Sequence, residues 1–344
     1  MADFSWGRSF RAGYLGYPRA VETNRPLPAP TLDTARVLSA LRELGIGYDW
    51  RGPQREIVRL CSLRNPEPGG LYYSVSPDAS VFLQLDASVV VCGAAAAQDL
   101  AALRTNAAIV VEGDVQLVFY RLAAHLFPSS PSAGVHATAV VASDATLAEG
   151  VEVGPFAVIG RATVDAGSRI GPHAVVGDGC DLGSGVEVDA HVHLGATGVA
   201  WVWDEAGEKV CLPASGGVQI EDDCFIGSGS VIVRGLMNEV TRVGRASRLA
   251  PGCTLGHGVD LGEQCHLANN VALAGSVTLG DRCFLGSGCA VRPHVTLAAD
   301  TIVGVGAAVV SDEVVTGQVL AGVPAKRVER TQAPSGIPRG GDPR

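Results

Sequence analysis

The chain has 344 residues, 26 Lys and Arg against 35 Asp and Glu, and aromatic residues at only 5%. A net charge of −9 argues against nucleic acid as the main partner. No charged-then-apolar leader opens the chain and no apolar run is long enough to cross a bilayer, so a soluble cytoplasmic protein with no transmembrane segment is expected.

Residues 1–33 are polar and carry Pro18, Pro26, Pro28 and Pro30, the composition of an N-terminal arm. Asp33 to Leu44 reads as a capped amphipathic helix with Val37, Leu38, Leu41 and Leu44 on one face. Short strands follow at Ile57–Leu63, Leu71–Ser74, Ser88–Cys92 and Ala107–Glu112. A second helix is expected from about Asp114 to Leu126, with Leu117, Tyr120, Leu122 and Leu126 near one side. These elements make a small α/β domain over residues 34–130, of a size that folds alone. A Ser- and Pro-rich linker runs from Pro128 to Gly134.

A six-residue period then takes over. Val141, Leu147, Val153 and Ile159 keep step, a five-residue step leads to Val164, and Ile170, Val176, Leu182, Val188 and Leu194 resume it. Residues 195–219 interrupt with Trp201, Trp203 and a charged stretch from Asp204 to Lys209; an insertion this long in a rigid scaffold is usually functional. Ile220, Ile226 and Ile232 restart the period, with Met237 one short step later. Twelve aliphatic residues then stand at one interval: Val243, Leu249, Leu255, Leu261, Leu267, Leu273, Leu279, Leu285, Val291, Leu297, Val303 and Val309. Such a period is neither a helix face nor an ordinary strand but a hexapeptide-repeat β-solenoid. It is expected over residues 135–327, followed by a tail at 328–344 of disordered composition.

Six of the nine cysteines (Cys180, Cys224, Cys253, Cys265, Cys283 and Cys289) lie two residues before a repeat aliphatic. Val259, Val271, Val277, Val295 and Ala307 fill the same slot elsewhere. Alternation points both slots inward, so these thiols read as small core residues rather than disulfides or zinc ligands.

Three hexapeptides close one coil, so residues 18 apart are vertical neighbours. By that arithmetic His257, at a turn two residues past the inward Leu255, has Glu239 beneath it and Gly275 above it. His294 lies two coils further on the same edge. A carboxylate can orient a histidine, and a backbone N–H can face a developing oxyanion. The plain alternative is a solvated surface histidine.

Thr254-Leu-Gly-His-Gly-Val-Asp-Leu-Gly262, followed by Ala268-Asn-Asn-Val-Ala-Leu-Ala-Gly-Ser276, resembles the active-site region of the UDP-3-O-acylglucosamine N-acyltransferases of lipid A biosynthesis. The helix Asp114–His125 and the insertion ending in Leu212-Pro-Ala-Ser-Gly-Gly-Val218 are similar to that family's elements in the same order. The resemblance implies a left-handed β-helix, a homotrimer with sites between subunits, and a nucleotide-sugar role for residues 34–130. It implies His257 as general base, Gly275 as oxyanion amide and His294 beside the reacting groups; the column arithmetic adds Glu239 as the carboxylate that orients the base. Asn269 and Asn270, with Tyr73 and Ser76, fall at its substrate-binding positions. The implied partners are an amino sugar or sugar nucleotide and an acyl thioester on acyl carrier protein or coenzyme A. No bound cofactor or metal is implied.

The chain departs from that pattern in three places. The uracil-site motif Phe-Leu-Ser-Asn-Pro-Lys-Tyr reads Tyr73-Ser-Val-Ser-Pro-Asp-Ala79, with Ser76 for the Asn and Ala79 for the stacking Tyr. Gly258 follows the base in place of Asn. Leu320-Ala-Gly-Val-Pro-Ala-Lys326 resembles the ending of coenzyme-A-dependent sugar acetyltransferases, the leading alternative activity. A zinc carbonic anhydrase on the same solenoid needs a third histidine, which Ala299 does not supply; in His191-Val-His193, one histidine is expected to point inward. A non-catalytic scaffold or sugar-nucleotide sensor is the remaining class.

Overall fold

The computed structural model describes residues 32–98, 103–127 and 134–329, and the chain divides into two units, residues 1–130 and 131–344. Residues 1–31, 128–133 and 330–344, which hold most of the expected arm, linker and tail, lie outside the described residues. At the margins the structure corrects two boundaries. Leu32 and Asp33 pair with Glu56–Ile57 instead of belonging to the arm, and the Val328 N–H still donates to the Val319 carbonyl at 2.9 Å.

In the first unit, strand β1 (Leu32–Asp33) leads into helix α1 (Thr34–Glu43), which starts where the Asp33 carboxylate accepts the Arg36 N–H. Val37, Leu38 and Leu41 are buried as expected. Then come β2 (Tyr48–Arg51), β3 (Glu56–Ile57), β4 (Arg59–Leu60), β5 (Gly70–Ser74), β6 (Val89–Cys92), β7 (Ala107–Val111) and α2 (Val115–Leu126). The expected strand at Ile57–Leu63 is broken: the Val58 N–H turns to the Gly69 carbonyl, so β3 joins β1 while β4 joins β5. The sheet runs β2-β7-β6-β5-β4, parallel except for β2, an edge strand that the apolar pattern does not announce because its side chains are only half-covered. On α2 the buried stripe is Val115, Phe119, Leu122 and Leu126, spaced 4, 3 and 4; Leu117 and Tyr120 face solvent, contrary to expectation.

In the second unit, short strands, most of two residues, stack into three sheets of ten, nine and eight strands, the first, second and third faces, parallel except for the last strand of the first. All twelve aliphatics from Val243 to Val309 are at most 2% exposed, and the six slot cysteines at most 1%. Burial pushes the thiols of Cys180 and Cys289 up to about 12 and that of Cys224 to about 11. The core is one column of apolar side chains, each coil covering the next.

Most coils hold 18 residues, as in Leu249 pairing Leu267. Four do not. Val153 pairs Ile170 and Val303 pairs Leu320, each one residue short; Leu182 pairs Ile220, because residues 197–216 leave the coil; and Ile232 pairs Leu255, 23 residues on. The last excess is the strap 234–239. It removes Met237 from the inner register: Met237 is exposed with φ +51°, while Leu236 and Thr241 are buried. Neither His191 nor His193 points inward, because Val192 between them takes the inner slot. The solenoid also runs past Val309: Val319–Ala321 adds to the first face and Lys326–Arg327 folds back antiparallel on it. Among the described residues no helix is long and apolar enough to cross a membrane.

Candidate active site

The edge between the second and third faces carries His257, Gly275 and His294 on successive coils. The Ser276 N–H donates to the His257 carbonyl at 2.8 Å and the His294 N–H to the Gly275 carbonyl at 3.1 Å. The column read from the period is therefore real for these three residues. His257 is half-buried and its imidazole lies flat against the Gly275 backbone: a Cβ built on Gly275 would stand 2.5 Å from Nε2. Only glycine leaves room for the ring there. The Gly275 N–H donates to no acceptor among the described residues. His257 Nδ1 is shielded from solvent and also lacks a hydrogen-bond partner.

Glu239 is placed differently from the arithmetic. Its coil is 23 residues long on the second face but 18 on the third, where Arg242 pairs Asp260. The carboxylate comes to rest over Gly258, with Oε2 3.2 Å from where a Cβ on that residue would stand, and makes no hydrogen bond to His257. Ser276 Oγ lies on the other side of Gly258. His294 is exposed, with φ +63°.

The other sequence-derived positions are not brought to this edge. Asn269 and Asn270 stand at the turn between the first and second faces, a different corner of the same coil. There the Asn270 N–H donates to the Pro251 carbonyl at 3.1 Å, and the Asn269 carbonyl accepts the Gly288 N–H at 2.9 Å. Tyr73 and Ser76 belong to the first unit. The Tyr73 ring packs on Phe119 at 4.8 Å and edge-on to Tyr120 at 6.1 Å, and burial, then Tyr120, raises its phenol. Ser76 lies exposed in the loop after β5, its hydroxyl accepting the Asp78 N–H at 3.2 Å.

Below His257 on the same side, residues 197–216 form an excursion that period counting sees only as a gap. Ala200–Trp203 and Lys209–Leu212 pair as an antiparallel hairpin. Trp201 and Trp203 meet edge-on at 4.9 Å with Lys209 Nζ over both rings. The strap 234–239 holds both roots: the Arg234 N–H donates to the Ala196 carbonyl and the Gly217 N–H to the Glu239 carbonyl. The Arg234 guanidinium reaches down to the carbonyls of Gly195 and Asp178, each at 3.0 Å. Arg234 and Thr241 are the residues that the period did not single out. Among the described residues no group of three or more His, Cys, Asp or Glu is arranged to hold a metal ion.

The stacked triangular coils define a class, the hexapeptide-repeat β-solenoids. Residues 217–237, 240–274 and 276–310 match the family described as hexapeptide repeat of succinyl-transferase. Within that class the chain is similar to curated UDP-3-O-acylglucosamine N-acyltransferases. It is 32% identical to that of Pseudomonas syringae pv. syringae over 241 residues, which is 63% of this chain and 66% of the relative. It is 35% identical to that of Synechococcus sp. over 182 residues, 47% of this chain and 50% of the relative. The chain thus spans just under two thirds of the first relative and half of the second. Among solved structures it is similar to the UDP-N-acetylglucosamine O-acyltransferase of Moraxella catarrhalis. That match has a TM-score of 0.51 at 22% identity and covers 56% of this chain and 73% of that one. Francisella novicida UDP-N-acetylglucosamine acyltransferase matches with a TM-score of 0.51 at 24% identity, over 56% and 68%. These likenesses bear on the fold: a left-handed parallel β-helix, against the usual right-handed crossover.

Proposed function

We propose that the protein transfers an acyl group from a thioester to the amine of an amino sugar nucleotide, in a cytoplasmic setting. The observation that carries this reading is His257, packed on Gly275 with a shielded, partnerless nitrogen on the same edge as an undonated backbone N–H. The activity for which the curated relatives are named supplies the substrate class.

In this mechanism the amine nitrogen attacks the thioester carbon while His257 takes its proton. The tetrahedral oxyanion is met by the Gly275 N–H. Collapse breaks the C–S bond, and the proton held by His257 passes to the departing thiolate. Glu239, over Gly258, adds negative charge beside the imidazolium, and His294 lines the upper side of the cleft. Asn269 and Asn270 in the second unit, and Tyr73 and Ser76 in the first, are each proposed as nucleotide-sugar contacts. The two asparagines stand at another corner of the coil from His257, so a site that uses both takes them from neighbouring copies, as a homotrimer provides. The thioester is a co-substrate; the reading calls for no resident cofactor or metal.

Turnover of a UDP-amino sugar with acyl carrier protein thioesters and with acetyl-coenzyme A tests the reading. His257→Ala is expected to lose about 10²–10⁴-fold with the fold intact. Full turnover by His257→Ala and by His294→Ala would overturn the mechanism. A second reading, an acetyl-coenzyme-A-dependent sugar acetyltransferase, is favoured by the closing coil, where Leu320–Ala321 pairs back onto Lys326–Arg327. Transfer from acetyl-coenzyme A alone would select it.

A further inference from the structure

At every other regular turn along the catalytic edge, the backbone supports itself. The amide of the left-handed turn residue donates to a carbonyl of the coil beneath, as Gly179 does to Arg161, Ser276 to His257 and His294 to Gly275. Gly258, the residue after His257, has no such carbonyl below, because the strap 234–239 has displaced it. Its N–H donates instead to Thr241 Oγ1 at 3.0 Å, and that hydroxyl donates onward to the Val233 carbonyl at 2.7 Å. Thr241 is fully buried at an inward slot between Val218 and Val259. Ser230 and Ser247 fill comparable slots, but each accepts from an inward residue of the next coil, Cys253 or Cys265. Thr241 reaches one residue earlier, into the turn itself.

We propose that Thr241 is a positioning residue for His257: its hydroxyl replaces the missing backbone carbonyl and holds the turn on which the imidazole stands. Gly258 has φ +63°, with Glu239 Oε2 and Ser276 Oγ 3.2 and 3.5 Å from where a Cβ on it would stand, and among the described residues its N–H has no acceptor but Thr241. The hold also joins the strap to the histidine. Val233 precedes Arg234, which ties the hairpin root, so a displacement of the hairpin base is transmitted to His257 through one side chain. The catalytic half of this inference rests on the acyl-transfer reading above; the structural half does not.

Thr241→Val keeps the shape and removes both hydrogen bonds, whereas Thr241→Ser keeps the hydroxyl. In the full chain, amide exchange of the peptide spanning Leu255–Asp260, followed by mass spectrometry, is expected to quicken about ten- to a hundredfold in the Val variant and stay near wild type in the Ser variant. Acyl transfer should fall about tenfold or more in kcat with KM little changed in Thr241→Val, and recover in Thr241→Ser. Unchanged exchange in Thr241→Val, or equal losses in both variants, would show that the hydroxyl is not the hold. Quickened exchange with undiminished kcat would show that the hold does not position the base. Wild-type turnover by His257→Ala would instead sink the reading of His257, and the exchange comparison tells that failure from a failure at Thr241.

Discussion

His257 and Gly275 pack as a pair, the ring filling the space that a side chain on the glycine would take. Gly275→Ala would put a methyl group within 2.5 Å of Nε2, so the ring must leave. We expect this variant to lose acyl transfer nearly as fully as His257→Ala while circular dichroism and Tm stay close to wild type; equal turnover would show that the ring position is not needed. His266 offers a different residue-scale test. Its ring stacks on Phe284 at 5.2 Å on the first face, and burial, then the Arg248 charge, lowers its affinity for protons. A histidine whose folded pKa lies below its unfolded value is bound by more protons when unfolded. Its contribution is therefore complete above the unfolded pKa and is lost as pH falls through the folded one. Thermal stability should accordingly fall between about pH 7 and pH 5, and His266→Phe should flatten part of that slope. An unchanged slope would assign the acid sensitivity to other groups.

At the scale of elements, the coil is a repeated unit whose inner slots tolerate size changes but not charge. Leu267→Asp buries a carboxylate with no partner among stacked Leu249, Leu285 and Cys265, and should destabilise by more than about 4 kcal/mol, read as loss of soluble folded protein. Native thiol labelling should be fast at Cys211, exposed on the hairpin, and absent at Cys253 and Cys289, whose burial disfavours the thiolate. Fast reaction at either buried thiol would mean that the inward register is misassigned. The hairpin is an element of another kind. Val202, Val210 and Leu212 are exposed on one side and the two tryptophans on the other, so it contributes little to the core. Its roots are held independently by Arg234, Gly235 and Glu239.

For the whole molecule, the proposed site sets a requirement that one chain does not meet. His257 stands at one corner of the coil and Asn269–Asn270 at another. The second face between these corners shows a strip of Thr254, Ala272 and Ala290, exposed and small, while the third carries Arg242 and Asp260 paired as ions. We expect light scattering to show three copies at micromolar concentration. A stable monomer would confine the site to the His257 edge and remove the asparagines from it.

The solenoid was legible in the chain because each coil repeats the same demand: an aliphatic side chain every six residues has only one way to be buried. Val243 through Val309, the slot cysteines and the vertical run from His257 to His294 all follow from counting. Counting fails where a coil changes length. Glu239 comes out near His257 by subtraction of 18, yet it rests over Gly258 because its coil carries a strap. Met237 falls out of register for the same reason. Helix α1 was readable from its cap and apolar stripe, whereas edge strand β2 was not, since half-exposed side chains leave no clear alternation. Thr241 could not be found from the period, because an inward threonine reads like any small core residue. What makes it different is the carbonyl missing beneath Gly258, and that depends on where the chain on either side of the strap comes to lie.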